Sequence, residues 1–275
     1  MAVRQNRRRG AAVVAAGLVG VVCGGCGGGE RAESPGGGDV EAVRGAAQRL
    51  LDARTSKTRT SMEMATGGTR VTIRGEGVYD YRKQMGRLRV LLPQDPAGET
   101  VHRPITELLA PGALYMKNRG AGVPDDKWVR VETAGLSDGN LVTGGVTDPF
   151  AAAELLRGAR SVTFVGDEQL AGVAVRHYRG TADLRRAAES ASPGGRDSLA
   201  AAAKGFASSQ VPFDVYLDEQ GRIRKVRHRF SFVNAQGGVR DSVAVASTTL
   251  LYDFGVAVDV RLPDREDIYA GKIAE

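Results

Sequence analysis

Residues 71–81 read Val71-Thr72-Ile73-Arg74-Gly75-Glu76-Gly77-Val78-Tyr79-Asp80-Tyr81, and their alternation decides the class of fold. Val71, Ile73, Tyr79 and Tyr81 share one parity with Gly75 and Gly77, while Thr72, Arg74, Glu76 and Asp80 hold the other. A period of two marks a β-strand with one buried and one wet face. Met62 and Met64 begin the same rhythm just upstream. Two glycines in a strand interior mark a place where a sheet bends or another group approaches closely.

Working outward, the chain before this stretch has a different period. Val40, Val43, Ala47, Leu50 and Leu51 recur at helical spacing over 39–53, with Asp39 placed to cap the first turn. Downstream, strands are predicted at 87–92, 105–109, 113–117 and 127–132, separated by turns carrying Pro93, Pro111-Gly112 and Gly120. A helix is predicted at 148–157, with Asp148 as cap, Pro149 in the first helical position and Gly158 as the stop. The second half repeats the texture. Strands are expected at 161–168 and 173–181, then a charged, Ala-rich helix pair at 182–208 broken at Ser192-Pro193-Gly194-Gly195, then strands at 212–217, 222–233, 241–252 and 256–261. Helices between sets of antiparallel strands, without βαβ alternation, give an α+β fold. A sheet this long must curl, split or be covered. The expectation is therefore a curved antiparallel β-sheet, an incomplete barrel, with helices covering the concave face.

The N-terminus reads as an export signal. Arg4, Arg7, Arg8 and Arg9 precede an apolar run over 11–22, which ends in Cys23-Gly24-Gly25-Cys26. As a helix the run spans roughly 18 Å, short of the ~30 Å hydrocarbon core. Small residues before Cys26 fit a lipobox, whereas Cys23 follows β-branched Val22 and itself stands where a lipobox usually has Leu. The expected organisation is a signal peptide at 1–25, a lipidated tether at 26–38 with the Gly/Ser/Pro composition of a flexible linker, and a folded domain at 39–275. This places the protein on the extracytoplasmic face of the cell membrane, held by acyl chains such as palmitate on Cys26.

Formal net charge is +6, and four of those charges are the leader arginines, leaving +2 for the processed chain. With no basic stripe and no stacking platform, a nucleic-acid partner is not expected. No cysteine follows Cys26, so burial alone must hold the domain. Roughly 235 residues suffice for that, since domains of this size bury about 70–75% of their unfolded surface. Arg over Lys, with abundant Ala, Gly and Val, is the composition of a GC-rich genome, such as an actinobacterial one.

The sequence contains no Gly-x-Ser-x-Gly elbow, Ser-x-x-Lys, His-Glu-x-x-His or phosphate-cradling loop. Gly75-Glu76-Gly77 lacks the third glycine of a dinucleotide fingerprint and sits in a strand. No cofactor, metal or catalytic residue is predicted. Of His102, His177 and His228, the last two can be imagined facing one another across a sheet, although a hydrogen-bonded strand histidine is the commoner case. Arg222, Arg224, Arg227 and Arg229 either attract anionic head groups or simply charge a wet strand face.

Taken with the lipobox and tether, the segments Lys127-Trp128-Val129-Arg130-Val131, Asp148-Pro149-Phe150, Val162-Thr163-Phe164-Val165-Gly166, Val175-Arg176-His177-Tyr178 and Val211-Pro212-Phe213-Asp214-Val215-Tyr216-Leu217-Asp218 give a chain that resembles the actinobacterial lipoproteins of the LppX/LprG type. These in turn look like the LolA/LolB carriers of lipoproteins. The resemblance implies an incomplete barrel with a hydrophobic cavity for acyl chains, no catalytic residues, and a lipid or acylated ligand. By alternation the inward candidates are Met62, Met64, Ile73, Leu88, Val90, Leu114, Met116, Phe164, Val175, Phe213, Val215, Phe230 and Phe232. Each is equally accommodated by an ordinary core. The competing reading is an envelope interaction or sensor/scaffold module with a filled core and no lipid cargo, and on either reading the protein is expected to be a monomer.

Overall fold

The chain enters the fold through α1 (Gly37–Ala53), whose buried stripe Val43, Ala46, Ala47 and Leu50 follows the i, i+3, i+4, i+7 spacing. The helix starts two residues ahead of the expected Asp39, which lies in its first turn. It stops at Arg54, which takes a left-handed φ of 70° while its amide returns to the Leu50 carbonyl. The computed structural model describes residues 37–66, 69–93, 103–120, 122–234 and 241–270, without the side chains of 66, 69, 232–234, 241 and 242. The leader, Cys26, nearly all of the tether and His102 lie outside these residues.

Six strands follow as a meander: β1 (Thr55–Thr66), β2 (Thr69–Asp80), β3 (Met85–Leu91), β4 (Ile105–Ala110), β5 (Ala113–Lys117) and β6 (Trp128–Glu132). After α2 (Pro149–Leu155) come β7 (Ala159–Leu170), β8 (Val173–Asp183), α3 (Leu184–Ser190), α4 (Pro193–Gly205), β9 (Gln210–Asp218), β10 (Ile223–Asn234) and β11 (Asp241–Tyr252). All eleven strands make one antiparallel sheet in the order β6-β5-β4-β3-β2-β1-β11-β10-β9-β8-β7. The two meanders are joined at its middle by β1 and β11. β6 and β7 stand at the two ends of this order and do not pair with each other among the described residues, so the sheet is an open barrel, as expected.

Local chemistry explains the junctions. Asp148 caps α2 by accepting the amides of Phe150 and Ala151 at 2.7 and 3.1 Å, with Pro149 at the helix start. The predicted helix over 148–157 ends its α-helical part at Leu155 and finishes as a 3₁₀ turn, Leu156–Gly158. Between β7 and β8, Ala171 and Gly172 both have positive φ, 50° and 80°, as a tight two-residue hairpin requires. The Ser192-Pro193 break separates α3 from α4, and Pro193 begins the second helix rather than merely ending the first.

One expectation is corrected. Residues 256–261 form no strand, because β11 is already paired on both sides, by β1 and β10, and offers no free edge. The alternation there is real, but it belongs to an extended strap. Val258 and Val260 pack with Leu108, Tyr115, Met85 and Trp128 on the sheet face away from the helices. The strap ends in a parallel bridge between Ile268 and Trp128.

The four helices all contribute to one apolar cluster with the opposite, inner face of the sheet. About half of their buried residues are alanine: Ala46 and Ala47, Ala152 and Ala153, Ala187 and Ala188, and Ala202. A methyl group buries little apolar area, on the order of one CH₂ or about 0.8 kcal/mol. The helix layer is therefore held to the sheet by many weak contacts.

Candidate functional site

Cross-strand register builds the inner face row by row. One row runs Tyr178, Val215, Val226, Thr249, Thr60, Gly75, Val90, Ile105 across eight strands. On one side of it lies Phe213, His228, Ser247, Met62, Ile73; on the other, Thr58, Gly77, Leu88, Glu107, Met116, Val129. The flanks of this face are apolar. Its centre is narrow, small and polar.

Of the predicted inward residues, Met62, Ile73, Leu88, Val90, Leu114, Met116, Phe213, Val215 and Phe230 are buried together in the cluster beneath the helices, and half-buried Met64 packs against them. Two are placed differently. Val175 is buried on the outer face, opposite Asp218, because the parity of β8 is fixed by Tyr178 and Ala182, which pair with core-facing Val215 and Val211. Phe164 is 39% exposed at the edge strand β7, against the Tyr178 ring and beneath the Arg176 guanidinium. The side chain of Phe232 lies outside the described residues.

A loop over 136–147 roofs the polar centre. The Asp138 carboxylate accepts the amides of Asn140, Val142 and Thr143 at 3.0, 2.8 and 2.6 Å, and Asn140 Oδ1 accepts the Gly144 amide at 3.0 Å. Gly139, Asn140 and Gly145 take left-handed φ values of 58°, 65° and 88°. The loop thus satisfies its own backbone and sends Leu141 and Val146 into the core. Val146 lies directly over Gly75: a Cβ there would come within 2.9 Å of Val146 Cγ1 and 2.7 Å of Thr60 Oγ1. One tie to the sheet is a 2.6 Å hydrogen bond between the Thr147 and Ser247 hydroxyls.

Beneath the helices, a void bordered by Tyr79, Leu109, Leu141, Phe150, Glu154 and Leu199 measures about 50 Å³. That admits a few waters at ~10–15 Å³ each. Pockets for drug-sized ligands are ~300–1,000 Å³. Yet the packing leaves Thr58 Oγ1, Thr60 Oγ1, both Glu107 carboxyl oxygens and His228 Nε2 buried with no hydrogen-bond partner among the described residues. Such a group costs roughly 1–3 kcal/mol. Burial pushes the Glu107 carboxyl up to about 8, against a weaker pull from the Arg119 guanidinium, so it is mostly neutral at pH 7. Burial also holds the His228 imidazole down at about 3, neutral between Phe213 and Phe230. Asp148 is raised to about 6 by burial, opposed by the amides it caps and by Tyr79.

Thr58, Thr60, Glu107, Ser247, Thr249 and the loop residues Leu141 and Val146 were missed by the sequence reading. The strand signal was present: Thr58 and Thr60 share the parity of Met62, and Glu107 stands midway between Ile105 and Leu109. Reading by hydrophobicity passed over them because they are polar.

The two histidines do not face each other. His228 is on the inner face, whereas His177 lies on the outer face, stacked on Tyr216 with Nδ1 2.8 Å from Glu168 and Nε2 3.0 Å from Asp214. Asp214 also accepts from Arg179 and Arg229, which hold it below the usual carboxylate range against the opposing effect of burial. Arg222 and Arg224 pair with Asp218, and Arg227 with Glu63. These arginines are thus engaged within the sheet. Among the described residues no group of three or more His, Cys, Asp or Glu side chains is arranged to hold a metal, and no helix is long and apolar enough to cross a membrane.

No family model matches the chain, and no curated protein matches it. Among solved structures it is similar to lipoprotein LppX of Mycobacterium tuberculosis, at 13% identity and TM-score 0.46, covering 80% of this chain and 99% of that one. It is also similar to LprF of Mycobacterium bovis, at 11% identity and TM-score 0.41, covering 84% and 98%. A third similar structure is an outer membrane lipoprotein-sorting protein domain of Vibrio parahaemolyticus, at 10% identity and TM-score 0.33, covering 81% and 94%.

Proposed function

We propose that this protein is a non-catalytic, lipid-anchored protein of the cell envelope that takes an acylated ligand between its sheet and its helix layer. The observation that carries this reading is a set of buried polar groups with no hydrogen-bond partner among the described residues, Thr58 and Thr60 on β1, Glu107 on β4 and His228 on β10, spread across a largely apolar inner face. A core selected for stability alone pairs or removes such groups. A site that opens keeps them for the polar part of a guest. The alanine-rich helices and the self-bonded loop over 136–147 are the parts whose displacement costs least, and an acyl chain replaces Leu141 and Val146 in contact with Met62, Ile73 and Leu88.

The full chain, purified from its membrane, is expected to release a lipid into organic solvent and to bind a fluorescent fatty-acid analogue saturably. Val146→Ala, which shortens the side chain over Gly75, raises the affinity for that analogue about tenfold if lost Val146 packing of ~1–1.5 kcal/mol no longer opposes entry. Absence of extractable lipid, with no saturable binding in either protein, sinks the carrier reading. The second reading, an envelope interaction module with a filled core, is favoured by the small void of about 50 Å³ and is what would then stand. For the anchor, Cys26→Ala is expected to move the protein to the soluble fraction and abolish labelling by a palmitate analogue. Unchanged labelling assigns the lipid to Cys23 instead.

A further inference from the structure

The outer face of the sheet divides into two halves that treat their arginines differently. Around β8–β10 the arginines have carboxylate partners: Arg179 and Arg229 on Asp214, Arg222 and Arg224 on Asp218, and Arg227 on Glu63. Across β1–β3, Arg59, Arg74, Arg87 and Arg89 are exposed, and among the described residues none has a carboxylate within ion-pair distance. Glu76 stands in register between Arg59 and Arg89 yet pairs with neither.

Between the cations lies a groove of about 340 Å³, bordered by Arg59, Arg74, Glu76, Arg89, Leu91 and Leu250. Leu91 is 42% exposed beside it, one of the few large apolar side chains left open. With strands ~4.8 Å apart and alternate residues ~6.8 Å apart, Arg59 and Arg89 stand about 10 Å from each other, with Arg74 and Arg87 to either side. An array this wide outreaches one phosphate and matches several anionic groups in a plane. Arginine is also the side chain whose planar fork best engages phosphate.

We propose that this half of the outer face is a docking surface for an anionic phospholipid bilayer, with the guanidiniums of Arg59, Arg74, Arg87 and Arg89 on head-group phosphates and Leu91 entering the interface. The sheet then lies with β1–β3 toward the bilayer and the helix layer away from it. Docking here is independent of acyl-ligand uptake on the inner face and of the Cys26 lipid.

The test uses the full chain carrying Cys26→Ala, so that no anchor contributes, co-sedimented with vesicles of phosphatidylcholine alone or mixed with phosphatidylglycerol. Binding is expected only to the mixed vesicles and to weaken with added salt. Arg59→Gln/Arg74→Gln/Arg89→Gln lowers partitioning on the order of a hundredfold, given the typical contribution of a basic residue near such a surface. Arg185→Gln/Arg186→Gln/Lys204→Gln, on the exposed side of α3 and α4, removes equal charge and leaves partitioning nearly unchanged. All six side chains are exposed, so both variants keep the parent melting temperature. Equal binding to both vesicle types, equal loss in both variants, or no loss in the first variant overturns the proposal.

Discussion

Glu107→Met is expected to raise the stability of the folded domain at pH 7 by about 3–5 kcal/mol, or about 10 °C in melting temperature. Glu107 is fully buried on the inner face, opposite Met116 and Leu88, and neither carboxyl oxygen has a partner. Methionine has a similar length and extends the apolar row already there. The folded chain keeps the Glu107 proton up to about pH 8, while an unperturbed glutamate releases it near 4.5. Between those values the unfolded state binds fewer protons, so this residue's contribution is largest below pH 4.5 and falls as pH rises to about 8. Thermal melts from pH 5 to 8 are expected to show a downward slope that Glu107→Met flattens. A variant less stable than the parent, with the slope intact, would mean that the carboxyl has a partner in solution. The same variant bears on the proposed site, since removing a polar contact for the guest weakens ligand binding while the fold is strengthened.

The opposite effect is expected from Gly77→Ala, a single methyl group in the strand whose alternation decides the fold. A Cβ at this position would lie 1.9 Å from the Arg87 carbonyl oxygen and 2.9 Å from the Leu88 Cα. Both obstacles are backbone of the paired strand β3, which cannot swing aside as a side chain does. The two strands must separate locally, and overpacking of this kind costs about 3 kcal/mol or more, a drop of roughly 10 °C. Gly135→Ala is the control: nothing lies within 4 Å of its added methyl, and its melting temperature should match the parent. A Gly77→Ala protein that melts with the parent would show that the strands have slack there.

Much of this architecture was legible because alternation is a local signal. The residues of β1, β2 and β3 point where their parity says, and the Asp148-Pro149 start of α2 was readable from two side chains. Misplacements came where parity needed an external reference. Val173-Ala174-Val175 is apolar at both parities, so only the pairing of Tyr178 with Val215 settles which face Val175 takes. Residues 256–261 alternate as well as any strand, but whether an extended segment joins a sheet depends on a free edge, which belongs to the tertiary structure. The site was the least legible part. Its defining groups are hydroxyls, one carboxyl and one imidazole on a face expected to be greasy, and its roof is a loop whose shape comes from Asp138 and Asn140 hydrogen bonds rather than from any repeating pattern.

The seam between β1 and β11 also governs how the molecule comes into being. Strands paired in the middle of the sheet are among the first and last to leave the ribosome, and at ~5–20 residues per second they are made on the order of ten seconds or more apart. Through that interval β1 has one bare flank, a template on which a second nascent copy can mispair. Closing so distant a contact is also slow, since loop closure must precede any gain from it. A chain built this way completes its sheet only when its last long strand arrives.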